Sequence, residues 1–186
     1  RDLSKDHLVF IARSFDINKP GSEIKSLVGG VLGGALKQGK LKVKDKIEIR
    51  PGLKIEKQGK VFYEPIFTEI EALKTGGSST NEVTAGGSIG ILTKLDPSLV
   101  KADTLTGNVV GISGKLPKVW YEFTLKPKLL DRVVGTKEEL KVEPIKKLET
   151  LMLNVNIAAT VGVVSELKKD LIVVKWKQVI KIWRWG

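Results

Sequence analysis

The sequence predicts an all-β fold, and three observations support this prediction. Short runs of β-branched and other apolar residues recur along the 186 residues, turn-forming Gly, Pro, Asn and Asp separate them, and helical periodicity is scarce. Short strands with regular turn signals are typical of β-sandwiches and β-barrels. The expected strands span residues 8–12, 41–49, 60–62, 87–92, 119–125, 150–156, 161–165 and 171–174.

Two segments carry further secondary-structure signals. Residues 40–49 alternate polar and apolar side chains, which predicts one half-buried strand. Residues 136–140 are the best helical candidate, because Thr136 is followed three residues later by Glu139, the spacing of a capping box. This segment is too short to be a major element.

Composition narrows the class of protein. Hydrophobic residues make up 41%, enough for a core, and no apolar run approaches the ~18 residues that span a bilayer. The absence of cysteine excludes disulfides and thiolate catalysis. These features predict a cytoplasmic protein without a membrane segment, and the first residue, Arg1, suggests a fragment of a longer chain.

Charge favours a polyanionic partner. The net charge of +11 attracts nucleic acid phosphates, although the lysines are spread along the chain rather than gathered into an arm. A lysine-rich proteome is the alternative explanation.

Paired glycines occur in four places and predict bulges, tight bends and close backbone approach. The pairs at 29–34 do not form a phosphate-binding loop, because the Lys-Ser/Thr of that motif is missing. A Gly-Ser-Pro-containing stretch at 111–117 predicts the domain boundary. We therefore expect domains at 1–114 and 115–186.

Catalytic constellations are missing from the sequence. The single histidine, His7, cannot form a metal site without cysteine co-ligands. Glu69 and Glu71 share a strand face, as a glycosidase pair might, but a solvated outer face is the simpler reading. We expect neither an enzyme nor a metal site.

Several motifs carry a more specific resemblance. They include Arg-Ser-Phe-Asp-Ile-Asn-Lys-Pro-Gly at 13–21, Glu-Ile-Arg-Pro-Gly at 48–52, Tyr-Glu-Pro-Ile at 63–66 and Leu-Asp-Pro-Ser-Leu-Val-Lys-Ala-Asp at 95–103. With residues 27–36, 38–43 and 129–135, this ordered series resembles the second and third domains of the archaeal and eukaryotic initiation factor 2 gamma subunit.

The resemblance implies two antiparallel β-barrels of the translation-factor type, as in elongation factor Tu. It implies that the GTPase domain, with its GTP and Mg²⁺, is absent here, so no cofactor is expected. The chain departs from the family pattern where Trp176 to Gly186 arrive early, which suggests a shortened C-terminal barrel. Trp176, Trp183 and Trp185 are expected in its core.

The family delivers methionylated initiator tRNA to the small ribosomal subunit, and its alpha subunit docks on the second domain. The resemblance places the tRNA acceptor end against Arg13, Ser14 and Phe15, with Glu71 and Ser88 on facing segments. Arg13 suits a phosphate and Phe15 a stacked base. The alternatives are that Phe15 plugs the barrel and that Arg13 is an ordinary surface charge.

A partner loop is expected at 16–21, where Pro20 stiffens the chain and Gly21 permits a tight turn. Its candidate contact residues for the alpha subunit are Asp16, Asn18, Lys19, Pro20 and Gly21. One alternative is a scaffold that holds only the alpha subunit. The other is a stand-alone RNA-binding barrel that uses Tyr63 and Phe67 with Lys60 and Lys74.

Overall fold

The computed structural model describes residues 2–131, 142–155 and 158–180. It confirms the all-β class, because strands dominate and helix within these residues is limited to short 3₁₀ turns at Ile24–Ser26 and within Pro97–Asp103, where Lys101 and Ala102 leave the helical conformation. The chain divides into two compact units, of which the second begins at Trp120. The helical candidate at 136–140 lies outside the described residues.

The first unit contains nine strands. They are β1 (Leu8–Phe15), β2 (Val31–Gln38), β3 (Lys40–Lys42), β4 (Lys46–Lys57), β5 (Lys60–Thr75), β6 (Ser78–Thr80), β7 (Glu82–Thr84), β8 (Ser88–Thr93) and β9 (Val109–Ile112). The main sheet has the order β4-β9-β1-β2-β8-β5-β6, and β4 also pairs with β5. This second pairing closes six antiparallel strands into a barrel, while β3 pairs with β7.

The barrel interior is filled by aliphatic side chains that alternate along the strands. Val9 and Ile11 of β1, Leu32 of β2, Ile49 of β4 and Ile91 of β8 are almost fully buried in one cluster. Burial of such side chains is the main favourable term in folding. The alternation explains why the period-two pattern located strands in the sequence.

Two expected strands were wrong in extent. Residues 41–49 do not form one strand, because a turn separates β3 from β4: the amide of Asp45 donates to the carbonyl of Lys42 at 3.2 Å, and Lys44 has a φ of 77°. The strand expected at 60–62 extends to Thr75 as β5. Pro65 interrupts the pattern there, and a shift in register between Ile49 and Leu53 of β4 accommodates the pairing.

A smaller cluster lies on the outer surface of the barrel. Leu8 and Phe10 of β1 and Val109 of β9 pack under Leu116, which follows the last barrel strand. Leu116 fits because β9 carries Gly111, where an added Cβ would lie 2.5 Å from the Leu116 Cδ2 atom. Segment 113–117 is therefore packed onto the first unit, although the sequence predicts a boundary between 114 and 115.

A buried charge fastens the same segment. The Glu48 side chain is fully buried; its carboxylate pairs with Arg50 and accepts a hydrogen bond from the amide of Gly114 at 2.7 Å. An Nη atom of Arg50 donates to the carbonyl of Pro117 at 2.8 Å. A buried carboxylate is tolerated only when it is paired in this way.

The second unit contains four described strands: β10 (Trp120–Leu125), β11 (Thr150–Val155), β12 (Ala158–Lys168) and β13 (Leu171–Ile180). They form a sheet in the order β10-β13-β12-β11. Phe123 and Trp176 stack with ring centroids 4.6 Å apart, beside a cluster built on Val164, Ile172 and Val174. Trp176 is thus half-buried, whereas Trp183 and Trp185 lie outside the described residues.

No helix among the described residues has the length and apolar character needed to cross a membrane. Across the same residues, no three acidic or histidine side chains come together as a group that could hold a metal ion.

We predict that Glu48→Ala lowers the free energy of unfolding by about 2–3 kcal/mol, because Arg50 and the Gly114 amide lose a buried partner. Urea denaturation measures this change. Glu64→Ala, on an exposed residue of β5, is the matched control and should stay within about 0.5 kcal/mol of the parent. Equal effects of the two substitutions would show that the Glu48 carboxylate does not anchor segment 113–117.

His7 gives a pH-dependent prediction. Burial lowers the pKa of His7 below its ordinary value of 6.5, although the charges of Asp45 and Asp6 and the backbone of Gly111 and Lys40 act in the opposite direction. The unfolded chain therefore binds a proton that the folded chain resists. The stability that the neutral form of His7 contributes should be fully present above pH 6.5. It should be lost as the pH falls from 6.5 towards the pKa of His7 in the folded chain.

Unfolding free energies between pH 7.5 and 5 test this expectation. The slope should approach at most about 1.4 kcal/mol per pH unit in the parent and should disappear in His7→Gln. The carboxylates with lowered pKa have ordinary values of 3.8 to 4.5, so they act below this window. A slope that survives the substitution would assign the effect to another group.

Candidate functional site

Strand β1 is held on both edges, although its two neighbours differ. It pairs with β2 along its full length but with β9 only from Leu8 to Phe10. Beyond Phe10, loop residues 103–108 take over the edge. The amide of Ile11 donates to the carbonyl of Asn108 at 2.8 Å, and the amide of Ser14 donates to the Asp103 carboxylate at 2.9 Å. The second half of β1 is therefore fixed without a neighbouring strand.

The structure separates the three residues predicted on this strand. A register shift between Ile11 and Arg13 turns Arg13 and Phe15 outwards and Ser14 inwards. The Arg13 side chain is 69% exposed and Phe15 is 41% exposed, so Phe15 does not plug the barrel. Ser14 is buried, and its hydroxyl oxygen accepts a hydrogen bond from the amide of Leu105 at 3.0 Å. Ser14 supports the strand and offers no accessible side chain.

Arg13 has a defined partner. Its Nε atom donates to the Oδ1 atom of Asp103 at 2.9 Å. The Arg13 guanidinium, followed by the Ser14 amide, holds the pKa of Asp103 below its ordinary value. The carboxylate thus stays ionised beside an exposed guanidinium.

Two glycines face each other next to Arg13. Gly33 of β2 pairs with Arg13 on one side and with Gly90 of β8 on the other, and Gly90 pairs with Lys74 of β5. An added Cβ at Gly33 would lie 3.6 Å from the Arg13 Cβ, and one at Gly90 would lie 3.9 Å from the Lys74 Cβ. All four positions therefore share the outer face. We call Gly33 and Gly90 the glycine floor.

The fold does not require these two glycines. Both contacts are at ordinary van der Waals distances, and neither residue has a positive φ. The adjacent Gly34 is different, because a Cβ there would lie 2.1 Å from the carbonyl oxygen of Phe10. Glycine inside a strand costs roughly 0.5–1 kcal/mol relative to alanine. A floor without side chains is typical of close approach by a ligand.

The rows on either side of the floor complete the face. Phe15 pairs with Val31, Val31 with Leu92, and Leu92 with Ala72, which gives one partly apolar row. On the opposite side, Ser88 pairs with Ala35 and is exposed. The face is therefore shallow, with exposed cationic side chains, Arg13 and Lys74, at its two sides.

The predicted residues from the facing segments lie near this face. Ser88 belongs to it, because it begins β8 two residues before Gly90. Glu71 is exposed and is the extra residue in the register shift between Ile70 and Ala72, next to the apolar row. The structure thus brings Arg13, Phe15 and Ser88 onto one surface, places Glu71 at its margin and buries Ser14.

The predicted partner loop is more ordered than its composition suggests. The Asn18 side chain accepts from the amide of Val28 at 2.7 Å and donates to the Val28 carbonyl at 2.8 Å. Asp16 accepts two hydrogen bonds from Asn18, and the Lys101 Nζ atom lies 3.7 Å from its carboxylate. The Asn18 backbone hydrogen bond, ahead of that of its side chain, holds the pKa of Asp16 low. The loop is closed by side chains at its base.

The loop closed by the Asn18–Val28 hydrogen bonds carries exposed apolar side chains. Ile24 is 87% exposed in its short 3₁₀ turn, and Ile17, Leu27 and Val28 are also exposed. Lys19, Pro20 and Gly21 lie at the exposed turn, where the carbonyl of Lys19 accepts from both the amide and the hydroxyl of Ser22. Clustered exposed apolar residues mark interaction surfaces more often than isolated ones do. The structure thus extends the partner loop from the expected residues 16–21 to residues 16–28, and this longer partner loop is a candidate docking surface.

The residues of the alternative RNA-binding site do not form one platform. Tyr63 is half-buried, and Phe67 is 60% exposed opposite Glu48 on the same sheet. Lys74 lies seven residues beyond Phe67 on β5, which is roughly 23 Å along a strand. Nothing is described of the Lys60 side chain. Lys74 is therefore too far from Phe67 to belong to one compact platform with it.

Comparisons with known proteins agree with this architecture. Residues 121–184 match the family model described as "Initiation factor eIF2 gamma, C terminal". The translation initiation factor 2 subunit gamma of Pyrococcus abyssi is 56% identical over 175 residues, and that of Methanocaldococcus jannaschii is 51% identical over 177 residues.

The chain belongs to the initiation factor 2 gamma family. The Pyrococcus abyssi match covers 94% of the chain and 43% of the relative, and the Methanocaldococcus jannaschii match covers 95% and 43%. The chain thus spans less than half the length of these gamma subunits. The family-model match places its second unit in their C-terminal region.

A solved structure shows the same fold. The bacterial selenocysteine-specific elongation factor EF-Sec aligns with a TM-score of 0.65 and 18% identity, over 96% of this chain and 24% of that chain. At this identity the likeness concerns the fold alone.

Sequence reasoning missed four residues on or beside this outer face, namely Gly33, Gly90, Lys74 as a neighbour of the floor, and Asp103. Glycine pairs were visible in the sequence, but they predicted bends. Only strand register shows that Gly33 and Gly90 face each other, and only the loop path brings Asp103 to Arg13, 90 residues away.

Proposed function

We propose that the chain forms part of the acceptor-end site for methionylated initiator tRNA in the gamma subunit. The observation that carries this proposal is the glycine floor. Two neighbouring strands have glycine on this outer face, although a side chain would fit at both positions. Family membership supplies the class of ligand, and the net charge of +11 favours RNA.

The chemistry of the face suits a single-stranded nucleotide end. Arg13 and Lys74 lie three strand spacings apart, or roughly 14 Å, with the floor between them. Phosphate groups would bind to the cationic side chains of Arg13 and Lys74. A base or ribose would lie against Phe15 and the floor. Glu71 and Ser88 would then contribute at the margins.

We also propose that the partner loop docks the alpha subunit. Its clasped base and exposed apolar residues support a preformed surface, which is the usual state of docking surfaces before binding. Ile24 would provide the central contact. Asp16, Asn18 and Lys19 would form a polar rim around it, with Pro20 and Gly21 at the turn. The scaffold alternative keeps this surface but omits RNA.

The wider assignment follows from the family. We propose that the whole subunit brings initiator tRNA to the small ribosomal subunit in the cytoplasm, and that GTP and Mg²⁺ bind outside this chain. A division into two translation-factor barrels belongs to the same proposal, with the boundary moved from the expected 114/115 to the start of the second unit at Trp120. A stand-alone RNA-binding barrel is less well supported, because Lys74 lies far along β5 from Phe67 and Tyr63 is only partly exposed.

Alanine substitutions test the glycine floor. Gly33→Ala/Gly90→Ala should leave stability unchanged or raise it by up to about 2 kcal/mol for the two sites together, since both added methyls fit. Binding of an RNA hairpin with a single-stranded CCA 3′ end, measured by fluorescence anisotropy at low salt, should weaken by about fivefold or more, because an overfilled contact costs about 1–3 kcal/mol.

The neighbouring glycine provides the control for this experiment. Gly34→Ala should destabilise the barrel, since its methyl would collide with the backbone of Phe10. A folded double variant that binds the RNA as tightly as the parent would remove the argument for the acceptor-end site.

An aspartate substitution tests the alpha-subunit surface. Ile24→Asp should weaken capture of the C-terminal domain of the alpha subunit by about tenfold or more, because a charge replaces an apolar anchor. Met152→Asp, at an 81% exposed residue of β11, is the matched control and should leave capture unchanged. Equal capture by the parent and Ile24→Asp would exclude the loop as the central docking contact.

A further inference from the structure

Residues 102 and 103 have an unusual backbone. Ala102 and Asp103 both adopt left-handed φ values, 51° and 58°, at the end of the Pro97–Asp103 segment. Alanine gains nothing from this conformation, because it has no polar side chain that could form a compensating local hydrogen bond. Consecutive strained residues persist where the surroundings impose them, and they cluster at binding sites.

The strained backbone delivers one carboxylate to two donors. The Oδ1 atom of Asp103 accepts from the Ser14 amide at 2.9 Å and from the Arg13 Nε atom at 2.9 Å. The first bond closes the edge of β1, which is a structural role. The second bond adds nothing to that edge, because Arg13 is an exposed side chain on the outer face.

Asp103 lies on the side of β1 away from the glycine floor. The Ser14 amide points to Asp103, whereas β2 pairs with the opposite edge of β1. The three atoms nearest to an added Cβ at Gly33 are the Cβ and backbone oxygen of Arg13 and a ring atom of Phe15, and none belongs to the guanidinium. Arg13 is therefore held at the rim, and the floor stays uncovered.

We propose that Asp103 is a positioning residue that orients Arg13 for a phosphate of the RNA 3′ end and keeps its guanidinium off the glycine floor. This inference rests on the proposed acceptor-end site. Because Asp103 uses only Nε, the two terminal nitrogens of Arg13 remain available for a bidentate phosphate contact. A guanidinium held in place before binding loses less rotational freedom on binding.

Simple electrostatics predicts the opposite effect of neutralising Asp103. An acidic group beside a phosphate site repels the ligand, so its neutralisation should strengthen RNA binding. Positioning predicts weaker binding in Asp103→Asn, even though the variant gains one unit of positive charge. Asparagine keeps the Oδ1 acceptor, so the bond from the Ser14 amide is preserved, whereas the bond from the Arg13 Nε loses its charge assistance and weakens.

The test is a double-mutant cycle on the whole chain with the same CCA-ended RNA hairpin. Asp103→Asn and Arg13→Ala should each weaken binding by about three- to tenfold, and the double variant should be no weaker than Arg13→Ala. Glu56→Gln is the matched control, because it changes the net charge by the same amount at an exposed residue of β4. It should not weaken binding.

An NMR measurement gives a readout that does not depend on RNA. The Nε–H signal of Arg13 should be distinct and protected from exchange in the parent, and its protection should fall in Asp103→Asn, where the hydrogen bond to Oδ1 has lost its charge assistance. An unchanged signal, or binding that is unchanged or tighter in Asp103→Asn, overturns the positioning role while leaving the acceptor-end site intact. A parent chain that does not bind the hairpin overturns both.

Discussion

The pairing of β4 with both β9 and β5 is the constraint on which the first unit depends. It joins the two ends of a twisted antiparallel sheet, so that every strand of the ring has a partner on each side. A closed ring removes the exposed edges that would otherwise invite association. It also encloses one core, in which Ile47 and Ile49 of β4 meet Ile70 of β5 and Val110 of β9. The outer features are built on this rigid ring.

Strand β1 shows how one element serves several purposes on that ring. Val9 and Ile11 fill the core, Leu8 and Phe10 pack under Leu116, and Arg13 and Phe15 form the outer site. The register shift after Ile11 reverses the alternation, so that Ser14 becomes the inward residue. Without the loop carrying Asp103, the second half of β1 would have an unpaired edge next to the site.

The adjacent residues Gly33 and Gly34 differ in whether the fold requires a glycine. Gly34 is needed because the Phe10 carbonyl occupies the space of a side chain, whereas Gly33 has room for one. The retained glycine at position 33 lowers strand stability slightly and leaves the outer face open. An open face of this kind suits the proposed acceptor-end site, because a nucleotide end fits a shallow surface with nearby cations.

The partner loop illustrates the same division between support and presentation. Asn18 replaces a short strand pairing by bonding both backbone groups of Val28, so the loop base is fixed by one side chain. The exposed apolar residues beyond it are then presented on a defined scaffold. The loop and the glycine floor are thus preformed surfaces of one unit, attached to successive parts of the chain.

The sequence by itself determined the all-β class, most strand positions and the family, because alternating burial and turn residues leave a local signal. It also located Arg13, Phe15 and the loop after them. Only the tertiary structure decided that Ser14 is buried, that β3 and β4 are separate and that β5 continues to Thr75. It alone paired Gly33 with Gly90 and brought Asp103 to Arg13. These relations depend on register and on contacts between residues distant in the chain, which local residue patterns do not encode.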